Sequence, residues 1–188
     1  MKFLSLAILM SLSLNAIAMR IPDSLVRGPI ILNDGFSLDP SHTKWVRVTT
    51  ENQKDKMEAL FQLKTEASVA TFTVRVDKET DYESLQDYAN KWLKSYGQFG
   101  LEVLGHKYFK NENNENGLVV DLKNSSAHKK LRQVIFFRNA KAIVMTCMDQ
   151  ISQFSTTIKN CNDLIHTFTW IKTEPNTEPS KGLINTRS

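Results

Sequence analysis

An α+β fold, with a central antiparallel β-sheet flanked by helices in an α-β-α sandwich, is predicted by three features of this 188-residue chain. Over 68–76, Ala70, Phe72, Val74 and Val76 alternate with Thr71, Thr73 and Arg75, the period of a half-buried strand. Leu85, Tyr88, Ala89, Trp92, Leu93 and Tyr96 then recur at steps of three and four, the period of an amphipathic helix. After that helix come four strand-like runs separated by turn residues, and then a second helical stripe.

Each element has its own local signal. Thr80 and Glu83 form a capping-box pair ahead of the first helix, and Gly97 and Gly100 close it. The four runs are 101–109, 118–122, 131–138 and 142–148. A polar stretch from Asn111 to Gly117 turns the chain between the first two. Arg138-Asn139-Ala140-Lys141 turns it between the last two, because Asn139 tolerates the left-handed conformation of a tight hairpin. In the run 131–138, Arg132, Val134, Phe136 and Arg138 share one face, while Leu131, Gln133, Ile135 and Phe137 share the other. Apolar residues on both faces mark a central strand covered on both sides.

The second helix follows Asp149, with Ile151, Phe154, Ile158, Cys161, Ile165 and Phe168 on one stripe. Upstream, 30–38, 45–49 and 57–63 read as strands, separated by Asp39-Pro40-Ser41-His42 and by the charged run from Glu51 to Lys56. After Trp170 the composition turns to Thr, Glu, Pro, Asn and Ser, so 172–188 reads as a disordered tail.

The N-terminus reads as a secretory signal. Lys2 precedes an apolar run from Leu4 to Leu14, too short to span a bilayer, and Ala16-Ile17-Ala18 suits a signal peptidase. Cleavage before Met19 is expected, leaving one domain over 19–171 and no membrane anchor. A lipoprotein would need a cysteine just after the run, and the first is Cys147. The mature chain of about 170 residues can bury a proper core as one domain. A formal net charge of +4 is too mild to imply nucleic acid. The densest basic stretch, from His128 to Arg132, reads as a solvated strand entrance.

Cys147 and Cys161 are the only cysteines. In an exported protein they meet an oxidising compartment, and a disulfide between them is the leading reading. It would close about fifteen residues, worth about 3 kcal/mol in the chain-entropy treatment. The alternative is a pair of buried free thiols. Bridging is eased if the helix carrying Cys161 starts late, near Ser155.

Three passages resemble the PsbP/Mog1-like sandwich group, which includes bacterial DcrB-like periplasmic proteins. They are the strand Val69-Ala70-Thr71-Phe72-Thr73-Val74, the helix with Leu85, Tyr88, Ala89 and Trp92, and the ending from Ala142 through Phe168-Thr169-Trp170. The resemblance implies the sandwich fold and an accessory or interaction role. The group includes photosystem II subunits and a Ran-binding import factor, and shares no catalytic apparatus. No binding motif of the group maps residue by residue onto this chain.

Motifs for chemistry are absent from the sequence: no G-x-S-x-G, H-E-x-x-H, P-loop or dinucleotide fingerprint occurs. Asn111, Asn113 and Glu115 place oxygens at alternate positions, but a calcium loop needs its glycine one place earlier and an acid where Leu122 stands, so a hairpin turn is the reading. His106 has no evident nucleophile beside it, and His42, His128 and His166 lack metal-ligand spacing. No catalytic residue, cofactor or metal is expected. Tyr82 and Tyr96, near the ends of the helical stripe, are the candidates for a partner-binding patch. The expected function is that of an exported, non-enzymatic binding or accessory protein, a monomer whose partner is another protein. The alternatives are a small secreted hydrolase and an extracellular effector.

Overall fold

The computed structural model describes residues 29–32, 34–48, 57–63, 69–78 and 81–171. The expected signal peptide and tail lie outside the described residues. In chain order the elements are β1 (Ile30–Leu32), β2 (Phe36–Leu38), β3 (Trp45–Val48), β4 (Met57–Leu63), β5 (Thr71–Asp77), α1 (Leu85–Ser95), a 3-10 turn (Tyr96–Phe99), β6 (Glu102–Lys110), β7 (Asn116–Asn124), β8 (Lys129–Arg138), β9 (Lys141–Gln150), α2 (Phe154–His166) and β10 (Thr169–Trp170). Strands β3 to β9 form a seven-stranded sheet in the order β3-β4-β5-β9-β8-β7-β6, and a small sheet has the order β1-β2-β10. Each strand pair is antiparallel.

Two cores, one on each face of the large sheet, make the three layers. On one face Tyr88, Ala89 and Tyr96 pack on Leu118, Val120, Leu122, Leu131, Ile135, Ala142 and Val144. On the other, Cys161, Leu164 and Ile165 of α2 and the small sheet's Phe36, Leu38, Phe168 and Trp170 cover Val119, Val134, Phe136, Ile143 and Met145. Phe168 stacks on Phe136 with ring centroids 3.9 Å apart. Strand β8 sits between β7 and β9 and is buried on both faces, as its two-sided apolar pattern predicts.

Turns follow their local chemistry. The β8–β9 hairpin closes through Asn139 and Ala140, both at positive φ (52° and 54°), which is the backbone of a type I′ turn. Three expectations need correction. The predicted strand 30–38 is two strands, because Gly35 at φ 80° lets the chain reverse and β1 pair with β2. Helix α1 begins at Leu85 rather than after Thr80: Ser84 is the N-cap, its hydroxyl accepting from the Asp87 amide at 3.1 Å. Finally, the helical stripe read as far as Phe168 stops at His166, because the chain leaves α2 there to form Thr169–Trp170 as a strand paired with Phe36 and Ser37.

Helix α2 starts at Phe154, and Cys147 on β9 is disulfide-bonded to Cys161 on α2 across a Cα separation of 6.1 Å. The late helix start is what permits it. Residues 151–153 turn the chain back, so α2 lies along the strand that precedes it.

Candidate functional site

The topology leaves one long strand exposed. From β5 the chain crosses the sheet through α1 to the far edge, where β6 begins an antiparallel meander that returns through β7 and β8 to β9, which pairs with β5. Among the described residues β6 therefore has one neighbour, β7, and presents an unpaired row of backbone N–H and C=O groups. It is nine residues long and almost wholly exposed, whereas β3 at the opposite edge has four residues with Trp45 buried. Lys107, Lys110 and a β-bulge are the devices that blunt this edge, and no proline interrupts it.

Which way each β6 side chain points follows from register, since residues opposite one another in adjacent strands project to the same face. Val103 pairs with Leu122, His106 with Val120 and Tyr108 with Leu118, so these three lie on the α1 face. Glu102 pairs with Lys123, Lys107 with Val119 and Phe109 with Gly117, so they lie on the α2 face. The ladder slips between Val103 and Gly105, and Leu104 is the extra residue. Helix α1 lies over β7 and β8 and stops short of β6. That leaves Val103, Leu104 and Tyr108 exposed at 36%, 46% and 53%, beside Phe99 of the 3-10 turn at 60%. Four of the six large apolar residues exposed among the described residues thus gather at this one edge.

The two tyrosines expected to form the patch are placed differently. Tyr96 is 3% exposed, its hydroxyl donating to Gln133 Oε1 at 2.6 Å, and burial pushes its phenol up to about 12. It is a core residue, packed with Tyr88 and Ala89 against the sheet. Tyr82 is half-buried, set edge-on to Tyr88 at 5.7 Å with the Lys91 ammonium 5.3 Å above its ring. The exposed apolar residues gather one element further along the chain. Their sequence signal was the run 101–109, where an exposed edge and a covered strand read alike until the strand order is known.

Several of the remaining polar side chains are paired within the fold, whereas Trp92 Nε1 and His166 Nδ1 are buried with no hydrogen-bond partner among the described residues. Asn111 Oδ1 accepts from the amides of Asn113 and Glu115, and its Nδ2 donates to the Phe168 carbonyl at 2.8 Å, so the Asn-rich loop is a turn that anchors the approach to β10. Arg132 makes a paired contact with both Asp121 carboxylate oxygens at 2.8 Å and reaches Asn162 on α2. Tyr88 donates to the Asp77 carboxylate, which also pairs with Arg75 at 3.0 Å. Burial first, and then that carboxylate, hold the Tyr88 phenol far above its ordinary value. This cluster ties α1 to β5 and keeps a neutral donor in place. Asp34 lies between Lys78 at 3.1 Å and Lys141 at 3.2 Å; its burial opposes ionisation, but the two lysines outweigh it and hold the carboxyl below 3.8. Among the described residues no group of three or more His, Cys, Asp and Glu could hold a metal ion, and no helix is long and apolar enough to cross a membrane.

The molecule is thus an α-β-α sandwich whose conspicuous surface, among the described residues, is a free strand edge. No family model and no curated protein matches the sequence. Its fold does match known structures. The cyanobacterial PsbP of Synechocystis sp. PCC 6803 aligns with a TM-score of 0.54 at 11% identity, covering 80% of this chain and 96% of that one. A Pseudomonas aeruginosa protein of unknown function aligns with a TM-score of 0.53 at 14% identity, covering 71% and 99%. At such identities the fold is what is shared: this chain has the PsbP/Mog1-like α+β fold that its sequence resembles.

Proposed function

We propose that this is an exported, non-enzymatic accessory protein that works by protein–protein contact through the free edge of β6. The observation that carries the reading is the gathering of Phe99, Val103, Leu104 and Tyr108 at a nine-residue strand whose outer edge has no partner among the described residues. Such an edge accepts a strand from another chain: backbone hydrogen bonds provide affinity, and the alternating side chains provide selectivity. The accessory role of the group whose fold the chain shares supports the same reading. The Cys147–Cys161 bond and the signal-like residues 1–18 fit an oxidising compartment, with cleavage before Met19 leaving the domain over 19–171 and the tail over 172–188.

A pull-down with the wild-type chain and with a Leu104→Lys/Tyr108→Lys variant, from envelope and culture-supernatant fractions, tests the reading. A specific protein retained by the wild type and lost in the variant is expected, with the variant's thermal unfolding unchanged. Retention that is indifferent to both substitutions would place the contact elsewhere. Intact mass of the exported protein reads the cleavage position directly.

A further inference from the structure

We infer that the strand which docks on β6 is β6 of a second copy of this chain, antiparallel about a two-fold axis at Gly105, so that the two large sheets become one. This deepens the proposed function and rests on its reading of β6 as the contact surface. The argument comes from the order of charges along the edge. With Leu104 as the bulged extra residue, the successive ladder positions are Glu102, Val103, Gly105, His106 and Lys107. An antiparallel pair about Gly105 therefore sets Glu102 of each copy directly opposite Lys107 of the other. Both residues project to the α2 face, so the two ion pairs form on one side of the joined sheet.

On the other face the same register sets Val103 against His106 of the second copy, and Tyr108 against Leu101, next to Phe99. Val103 and Tyr108, two of the exposed apolar residues of the edge, are thereby partly covered by the second copy. At the axis a β-carbon on Gly105 would meet nothing within 4 Å, so a side chain placed there as a probe has room. Other two-fold registers lose this complementarity. An axis at Lys107 opposes two lysines, and an axis at His106 sets Glu102 against Phe109. The monomer expected from sequence gives way to a dimer, since an edge of this length and composition invites pairing and its charges are self-complementary.

The test is sedimentation of the full chain over a range of concentrations, with four variants. A concentration-dependent dimer is expected. Glu102→Lys and Lys107→Glu should each weaken it by at least about tenfold, because each opposes like charges, and the Glu102→Lys/Lys107→Glu swap should recover most of the loss. Gly105→Cys supplies a readout independent of charge: directly opposed residues in an antiparallel pair have Cα atoms about 4.5–5.5 Å apart, within disulfide reach, so oxidation should yield a covalent dimer. A chain that sediments as a monomer throughout, a swap no better than its single variants, or a Gly105→Cys chain that does not cross-link would each overturn the inference. A monomer that still captures a different protein through β6 would overturn it while leaving the accessory reading intact. Failure of both capture and dimerisation would remove both.

Discussion

Removing either cysteine should cost nearly as much stability as removing both. Cys147 and Cys161 are completely buried and join β9 to α2 across a sequence separation of 14. In the chain-entropy treatment, closing a loop of about fifteen residues removes about 10 cal/mol/K from the unfolded ensemble, or about 3 kcal/mol at room temperature. Cys147→Ala/Cys161→Ala also empties the space of two buried sulfurs, which adds about 1 kcal/mol. A domain of this size unfolds with an entropy of about 0.3 kcal/mol/K, so about 4 kcal/mol lowers Tm by about 10–15 °C.

Thermal and urea unfolding of the wild type, both single variants and the double variant would read these values. Since either single substitution breaks the same bond, each should lose most of what the double variant loses, and the two losses should not add. Alkylation of the denatured, unreduced wild type should label no cysteine. Additive single losses, a total below about 1 kcal/mol, or labelled thiols would refute the bond and restore the buried free-thiol alternative.

Other consequences are as direct. At Gly117 a β-carbon would stand 2.7 Å from the Phe109 ring and 3.0 Å from that of Phe136, so Gly117→Ala should destabilise by about 1–3 kcal/mol in urea unfolding. Ala140→Gly should do the opposite and stabilise by about 1 kcal/mol, because it relieves a non-glycine residue at φ 54° in the type I′ turn. The Asp34 carboxyl is held below 3.8 when folded, so its contribution is present above that pH and is lost as pH falls through the lower folded value. Asp34→Asn should therefore lower stability by about 1–2 kcal/mol near neutral pH, and the gap from wild type should close in acid thermal scans. Tyr96 has the reverse sign. Raised from 10.0 to about 12, its phenol favours the fold below pH 10, and that stability is lost as pH rises through about 12; alkaline unfolding in this window should be shallower in Tyr96→Phe.

Much of the fold was legible in the residues because short-range physics determines it. The alternation in 68–76 gave β5, the stripe from Leu85 to Tyr96 gave α1, and the turn at Asn139 gave the β8–β9 hairpin, each being a matter of period or local backbone preference. The two-faced apolar pattern of 131–138 even announced the third layer. The helix start was missed because Ser84 with Asp87 and Thr80 with Glu83 are equivalent caps until the chain's approach to the helix is known.

The candidate site was of another kind. Nothing within 101–109 says whether a second strand lies along its outer side; that follows from β9 returning to pair with β5, two segments about seventy residues apart whose docking depends on burying both faces of the sheet. Tyr96 shows the converse, being at the end of an amphipathic stripe by sequence and inside the core by geometry. By itself the sequence determined which segments are strands and helices, the cysteines available to bond and the expectation of export. Only the tertiary structure decided the strand order, and with it which strand has a free edge among the described residues, because adjacency in a sheet is settled by long-range burial that no local pattern encodes.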